Sequence, residues 1–210
     1  DSQQPMDSKN EEDAAAYRER MQRTQASHRK RVSERKRPDR GLILVHTGKG
    51  KGKSTSAFGV VARTLGWGNE VAVVQFIKGK WKTGEKQFFQ RFPDLLTWHT
   101  MGDGFTWDTQ DKEQDTVAAQ DALAHGAEFV QSGRYALVVL DEINIALRYG
   151  FVSVEQVLDI LAQRSEKTSV ILTGRDAPDA LQAAADLVTE MHEIKHPFQA
   201  GIKAQQGIDF

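Results

Sequence analysis

Apolar residues along this chain fall into short blocks set apart by polar and glycine-rich stretches, and the blocks follow two different periods. Leu42–His46, Val71–Ile77, Leu95–Met101, Tyr135–Leu140, Ser169–Thr173 and Leu187–Ile194 are compact runs of strand character, several of them rich in Val and Ile. Between them the spacing turns helical. One helix runs through Ala57, Phe58, Val60, Val61 and Leu65 and stops at Gly66. Glu85–Phe92 is a second, ended by Pro93, and Thr109–Gln131 a long third, closed by Gly133. Ser153 with Gln156 forms a capping box for a fourth helix ending near Ser165, and Pro178 suits the first turn of a fifth that reaches Asp186. Strands alternating with helices predict an α/β fold with a mainly parallel central sheet flanked by helices. No internal repeat is present.

The first forty residues obey neither period. From Glu11 to Arg37 no Pro or Gly interrupts a stretch rich in Ala, Arg, Glu, Gln and Lys, which predicts a helical arm. Tyr17, Met21, His28 and Val32 form its one thin stripe, too narrow to build a core. The division is therefore 1–40 as an N-terminal basic arm or lid and 41–210 as the body. Charge sharpens it. Residues 1–40 hold 11 Lys/Arg against 8 Asp/Glu and residues 41–210 hold 17 against 21, so a net charge of −1 conceals a basic arm on a mildly acidic body. The arm reads either as a solvated tail or as a helix that docks over a site when an anionic ligand is present. Its basic run lacks the interleaved aromatics of a nucleic-acid surface, so no nucleic-acid partner is expected.

Composition then excludes several classes. The chain has no cysteine, which removes disulfide scaffolds, thiol catalysis and cysteine-based metal centres. No stretch approaches the roughly 18 apolar residues of a membrane span, and the polar N-terminus carries no apolar leader. A cytoplasmic protein without a membrane partner is expected.

The chemistry sits after the first predicted strand. His46-Thr47-Gly48-Lys49-Gly50-Lys51-Gly52-Lys53-Ser54-Thr55 joins a strand to a helix, the context of a phosphate-binding loop. Glycines let successive N–H groups face one anion, and the helix N-terminus adds its partial positive charge. Lys53 reaches phosphate oxygens in this reading, and the Ser54 hydroxyl ligates Mg²⁺. The spacing G-x-x-x-x-G-K-[ST] has Thr47 at its first position, and Lys49, Lys51 and Lys53 make the loop unusually cationic.

Such a loop calls for a partner strand ending in acids. Leu137-Val138-Val139-Leu140-Asp141-Glu142 supplies one, with Asp141 holding Mg²⁺ through water and Glu142 serving as base, metal ligand or contact to a nucleotide hydroxyl. Arg175, in Thr173-Gly174-Arg175-Asp176, projects from the same sheet edge either as a phosphate contact or in a structural ion pair. His192-Glu193-Ile194-Lys195-His196 fits H-E-x-x-H, but Pro197 disfavours helix at His196 and no third ligand is evident, so zinc is not expected. On these residues the reaction stays open. Attack at the γ-phosphoryl group and attack at the 5′ carbon of ATP, with triphosphate leaving, both suit the loop. A nucleic-acid ATPase and a non-catalytic nucleotide-binding module are the alternatives of other classes.

Ile43 to Gly59 around the loop resembles the ATP:corrinoid adenosyltransferases of bacterial cobalamin synthesis and salvage. The resemblance continues in Met101-Gly102-Asp103-Gly104-Phe105-Thr106-Trp107, Val139-Leu140-Asp141-Glu142-Ile143 and Leu172-Thr173-Gly174-Arg175-Asp176-Ala177-Pro178, and in the ending, Glu193-Ile194-Lys195-His196 and then Ala200-Gly201-Ile202-Lys203-Ala204-Gln205-Gln206-Gly207-Ile208. It implies a RecA-like P-loop fold, usually homodimeric, that moves the 5′-deoxyadenosyl group of ATP to Co(I) of a corrinoid such as cobalamin and releases triphosphate. It also implies Mg²⁺ or Mn²⁺ with the ATP, and an external electron donor such as a flavodoxin to make Co(I). By the same resemblance Gly48, Lys49, Gly50, Lys51, Gly52, Lys53, Ser54 and Thr55 bind the triphosphate, which lies in reversed orientation, and Lys49 stands where the family commonly has Asn. Glu142 meets the ribose or metal, and Arg175 the phosphates. Phe105 and Trp107 match the aromatic pair that displaces the lower axial ligand of Co(II), and the arm, with Tyr17 and Met21, folds over the corrinoid.

Overall fold

The computed structural model describes residues 5–36, 39–77, 82–102 and 111–210, the first eight of these by their backbone. It divides into two units, 1–39 and 40–210. The first unit is the helix α1, Pro5–Ser33, whose described side chains from 13 onward are all exposed.

The second unit runs β1 (Ile43–Thr47), α2 (Lys53–Gly66), β2 (Val71–Gln75), α3 (Gly84–Phe89), β3 (Leu96–Thr100) and α4 (Lys112–Gln131). It continues with β4 (Leu137–Asp141), α5 (Ile143–Arg148), α6 (Val154–Ala162), β5 (Ser169–Thr173), α7 (Asp179–Ala184) and β6 (Leu187–Glu190), then a 3₁₀ turn at Pro197–Ala200. The six strands form one sheet in the order β3-β2-β4-β5-β1-β6, and every pairing is parallel. This is the α/β, RecA-like arrangement. The inner strands are covered on both faces, which is why they read as unbroken apolar runs. Val71, Val73, Leu137, Val139 and Ile171 pack with Ala57, Phe58, Val61 and Leu65 of α2 and Phe89 of α3. The alternate residues Ala72, Val74, Val138, Leu140, Val170 and Leu172 pack with Ala118, Ala122 and Leu123 of α4, Val157 and Leu161 of α6 and Leu181 of α7. One pleat thus feeds two cores.

Local chemistry sets the ends of the helices. Ser153 accepts from the Gln156 amide and the Gln156 side chain returns to the Ser153 amide, a capping box that opens α6 as the sequence predicts. Asp111 caps α4, and Thr83 caps α3. Pro178 precedes α7 as its N-cap. Several elements depart from the sequence reading: β2 ends at Gln75 rather than Ile77 and α3 at Phe89 rather than Phe92. α5 is an additional helix, because six residues following an acid-tipped strand carry no helical period of their own. β6 stops at Glu190 rather than continuing to Ile194, because its partner β1 ends at Thr47 and the chain beyond the last rung, the Met191 amide on the Thr47 carbonyl at 2.9 Å, crosses over Gly50 of the loop. Among the described residues, no helix is long and apolar enough to cross a membrane.

An all-parallel sheet brings every strand's carboxyl end to one edge. Here β1 to β5 end in Thr47, Gln75, Thr100, Asp141 and Thr173, and all five polar residues are buried. That edge is where open α/β sheets place their sites.

Candidate functional site

The phosphate loop leaves β1 and enters α2 by way of two glycines in the left-handed region, Gly48 at φ 99° and Gly52 at φ 112°. Gly52 is the N-cap of α2, where a side chain in that conformation would be strained. Gly50 is needed for a different reason. A Cβ there would stand 2.8 Å from the His192 carbonyl carbon, because Met191 and His192 cross directly over the loop. The Gly50 amide donates to the Met191 carbonyl at 2.7 Å and holds that crossing in place. Thr47, which occupies the position where such loops usually begin with Gly, has its own task. Its hydroxyl oxygen accepts the buried Ala177 amide at 3.1 Å, tying β1 to the turn after β5.

Lys53 is 9% exposed, and its ammonium donates to the Gly50 carbonyl at 2.6 Å. Burial pulls its pKa below the ordinary lysine value, and the Glu142 carboxylate opposes that pull. Ser54 donates to Asp141 Oδ1 at 2.7 Å. Thr173 donates to the same oxygen at 2.8 Å, and Gln75 Nε2 donates to Oδ2 at 3.3 Å. Asp141 is 1% exposed, and burial pushes its carboxyl above the usual range in spite of these three donors. Glu142 is pushed the same way, by burial and then by Asp141 beside it. It adopts a left-handed φ of 59° as the N-cap of α5, and its amide donates to the Thr173 hydroxyl oxygen at 2.8 Å. His46, buried beneath the loop, contacts the Ser56 hydroxyl at 2.8 Å, and burial lowers its pKa.

These groups open onto a cavity of about 440 Å³ lined by Lys51 to Thr55, Gly84, Glu85, Glu142 and the C-terminal residues Gly207 to Phe210. The Lys51 ammonium is held there by Asp209 at 2.5 Å. Lys49 points elsewhere. With Thr47 and Gly48 it lines a second cavity of about 660 Å³ bounded by Asp176, Glu190 and Met191 to Glu193. Arg175 is exposed and acts electrostatically on both Lys53 and Glu142. Tyr17 and Met21 lie on α1 of the first unit, exposed. Phe105 and Trp107 fall outside the described residues.

The structure therefore brings Lys51, Lys53, Ser54, Asp141 and Glu142 together and sets Lys49 apart from them. The sequence reading missed Gln75, Thr173 and Asp209. Thr173 had the signal of a polar residue closing an apolar run and Gln75 that of the one polar residue inside Val71–Ile77, whereas Asp209 had none. His192 and His196 lie outside any α-helix, in agreement with setting the zinc motif aside. Among the described residues, the one three-membered His/Asp/Glu grouping within ligand distance is His99, Asp121 and His125. Its imidazoles stack face to face at 3.8 Å, so their ring lone pairs do not converge on one point.

Comparison with known proteins gives one consistent result. The family described as ATP:corrinoid adenosyltransferase BtuR/CobO/CobP matches residues 39–210. A corrinoid adenosyltransferase of Pseudomonas aeruginosa is 49% identical over 92% of this chain and 95% of its own length. One from a Sinorhizobium species is 46% identical over 95% and 94%, and one from Escherichia coli K12 is 40% identical over 92% and 97%.

Proposed function

The chain belongs to the ATP:corrinoid adenosyltransferase family, and from that premise we propose how its residues carry the reaction. The activity is transfer of the 5′-deoxyadenosyl group of ATP to the cobalt of a corrinoid, forming adenosylcobalamin. A cobalt–carbon bond forms at C5′ as the C5′–O bond breaks. Co(I) supplies the electron pair, and the triphosphate departs with the pair of the broken bond. The substrate brings its own nucleophile, so no hydroxyl or thiol has to be deprotonated.

What the protein must do is hold ATP and receive the leaving group. The observation that carries this reading is the loop itself: Lys51, Lys53 and the α2 N-terminus line one cavity with Glu142 and stand over buried Asp141. Charge developing on the departing triphosphate meets donors already fixed in place, which needs little reorganisation. Lys53 exchanges its Gly50 carbonyl for phosphate oxygens, and Lys51 exchanges the Asp209 carboxylate. Glu142 receives a ribose hydroxyl, and Arg175 approaches the phosphates. Lys49, on the other side of the loop, contributes long-range charge.

Ser54, Asp141 and Glu142 fit a hard divalent cation, Mg²⁺ or Mn²⁺. Two adjacent carboxyls are both pushed up by burial, Glu142 also by Asp141 beside it, with Lys53, Arg175 and Arg148 offsetting Glu142 only in part, and the Ser54 hydroxyl adds a neutral oxygen next to Asp141. Such an ion would neutralise triphosphate charge. From the family resemblance, Phe105 and Trp107 displace the lower axial ligand of Co(II), which eases its reduction. An external one-electron donor of the flavodoxin kind supplies that electron. The arm, through Tyr17 and Met21, covers the corrinoid. The same resemblance supports a cytoplasmic homodimer.

The test is an anaerobic mixture of protein, ATP, Mg²⁺ and chemically reduced cobalamin. The spectrum of adenosylcobalamin should grow in with protein-dependent rate. An unchanged Co(I) spectrum would sink the reading.

A further inference from the structure

Asp141 offers two carboxylate oxygens, and the fold treats them differently. Oδ1 accepts the Ser54 and Thr173 hydroxyls at 2.7 and 2.8 Å and lies on the loop side. Oδ2 accepts from the Gln75 amide nitrogen of the neighbouring strand β2 at 3.3 Å. The Gln75 side chain cannot be reversed. The Trp98 indole N–H, which can only donate, points at Gln75 Oε1 at 3.2 Å, and the Thr100 hydroxyl adds a second donor at 3.5 Å. Gln75 therefore presents its NH₂ group to Asp141. The backbone enforces the same arrangement, since Gln75 lies in register with Thr100 on one side and Asp141 on the other. Gln75 is 8% exposed, so water does not compete for these contacts.

We propose that Gln75 is a positioning residue that sets the cation preference of the site. By occupying Oδ2, it leaves Asp141 one oxygen, Oδ1, for a cation taken directly rather than through water once Ser54 turns its hydroxyl from that oxygen to the ion, and so favours Mg²⁺ or Mn²⁺ over Ca²⁺. Ca²⁺ takes six to eight oxygens in loose geometry and readily engages both oxygens of a carboxylate. Mg²⁺ demands a near-ideal octahedron, keeps several of its waters and takes one oxygen per carboxylate, and Mn²⁺ shares its preference for octahedral oxygen sites. A carboxylate whose second oxygen is held by an N–H serves the second kind. Thr173 completes the device. It donates to Asp141 and accepts from the Glu142 backbone amide, so the Asp141 carboxylate and the main chain at Glu142 are tied to one hydroxyl. This inference rests on the reading above that a divalent cation accompanies ATP at Ser54 and Asp141.

The experiment is calorimetric titration of the full chain with ATP, without corrinoid, in Mg²⁺, Mn²⁺ or Ca²⁺. The wild-type protein should bind ATP at least tenfold more tightly with Mg²⁺ than with Ca²⁺. Gln75→Met keeps the side-chain length and removes the donor, and should shrink that ratio at least fivefold, chiefly by tighter binding with Ca²⁺. Trp98→Phe keeps the aromatic stack on Phe58, removes the donor that orients the amide, and should shrink the ratio less. If Gln75→Met loses its cooperative thermal transition, Trp98→Phe decides. An unchanged ratio in the folded variant overturns the proposal while leaving the cation reading intact. An equal loss of affinity with all three ions also overturns it, since that is what a merely structural role gives. Absence of any cation effect in the wild-type protein overturns both.

Discussion

Lys53 owes its task to where the backbone puts it. The ammonium is withdrawn from water, rests on a carbonyl of its own loop and faces the Glu142 carboxylate, so an arriving triphosphate displaces only one weak acceptor. Lys53→Met should lower kcat/KM for ATP by roughly 10²- to 10³-fold, the usual cost of one preorganised donor to a developing anion. Lys49→Met, on the exposed far side of the loop, should cost less than about tenfold by the same measure. Steady-state kinetics with reduced cobalamin checks both. The acids give a pH signature. Asp141 and Glu142 are both raised by burial, so each keeps its proton at a pH where ordinary carboxyls have lost theirs. Cation-dependent ATP binding should therefore be full near neutral pH and fail on acidification before the ordinary carboxylate range of about 4 is reached. Calorimetry across pH measures it, and failure only below pH 4 would contradict the assignment. Lys53, Ser54, Asp141 and Glu142 were legible from the chain because each stands in a motif with local spacing. Gln75 and Thr173 were not. Their partners lie 66 and 32 residues from them in sequence, and the contacts exist only once β2 and β5 flank β4.

Among the elements, the turn after β5 is tightly specified. Gly174 has φ 130°, and a Cβ there would stand 2.7 Å from Asn144 Cβ, while Asn144 donates its own amide to the Gly174 carbonyl at 2.8 Å. Gly174→Ala combines strain with overpacking and should cost about 3 kcal/mol in thermal or urea unfolding. It should also disturb Arg175. Ser153→Ala breaks the capping box of α6 and should cost about 1 kcal/mol without changing activity. At the start of the body, Asp186 takes two guanidinium nitrogens of Arg40 and the Ile43 amide, and these lower its pKa to about 2. The stabilisation is complete above the unfolded value near 4 and fades as pH falls toward 2. The melting difference between the wild-type protein and Asp186→Asn should accordingly be steady at pH 5 to 7 and shrink below pH 4. Strands and long helices were readable because their periods extend over whole elements. Short α5 and the true end of β6 were not, since tertiary contacts set them: the Met191 turn over the loop is a decision of the fold, not of the local pattern.

For the whole molecule, the arithmetic of charge separates a basic arm, 1–40, from a mildly acidic body, 41–210. Strand order could not be read in advance. Nothing in the chain says that β5 enters between β1 and β4, yet that insertion places Thr173 between the loop and the acids. Because the described side chains of α1 are all exposed, removing residues 1–39 should leave the thermal transition of the body within a few degrees of its original value. If the arm covers the corrinoid, the same truncation should raise KM for the corrinoid more than KM for ATP. The central claim is that the loop receives a whole triphosphate as the leaving group of attack at carbon. Its most direct measurement is ³¹P NMR of the products of an anaerobic single turnover with ATP and reduced cobalamin. The account predicts one inorganic triphosphate for every adenosylcobalamin formed. ADP with orthophosphate as the only phosphorus products would contradict it.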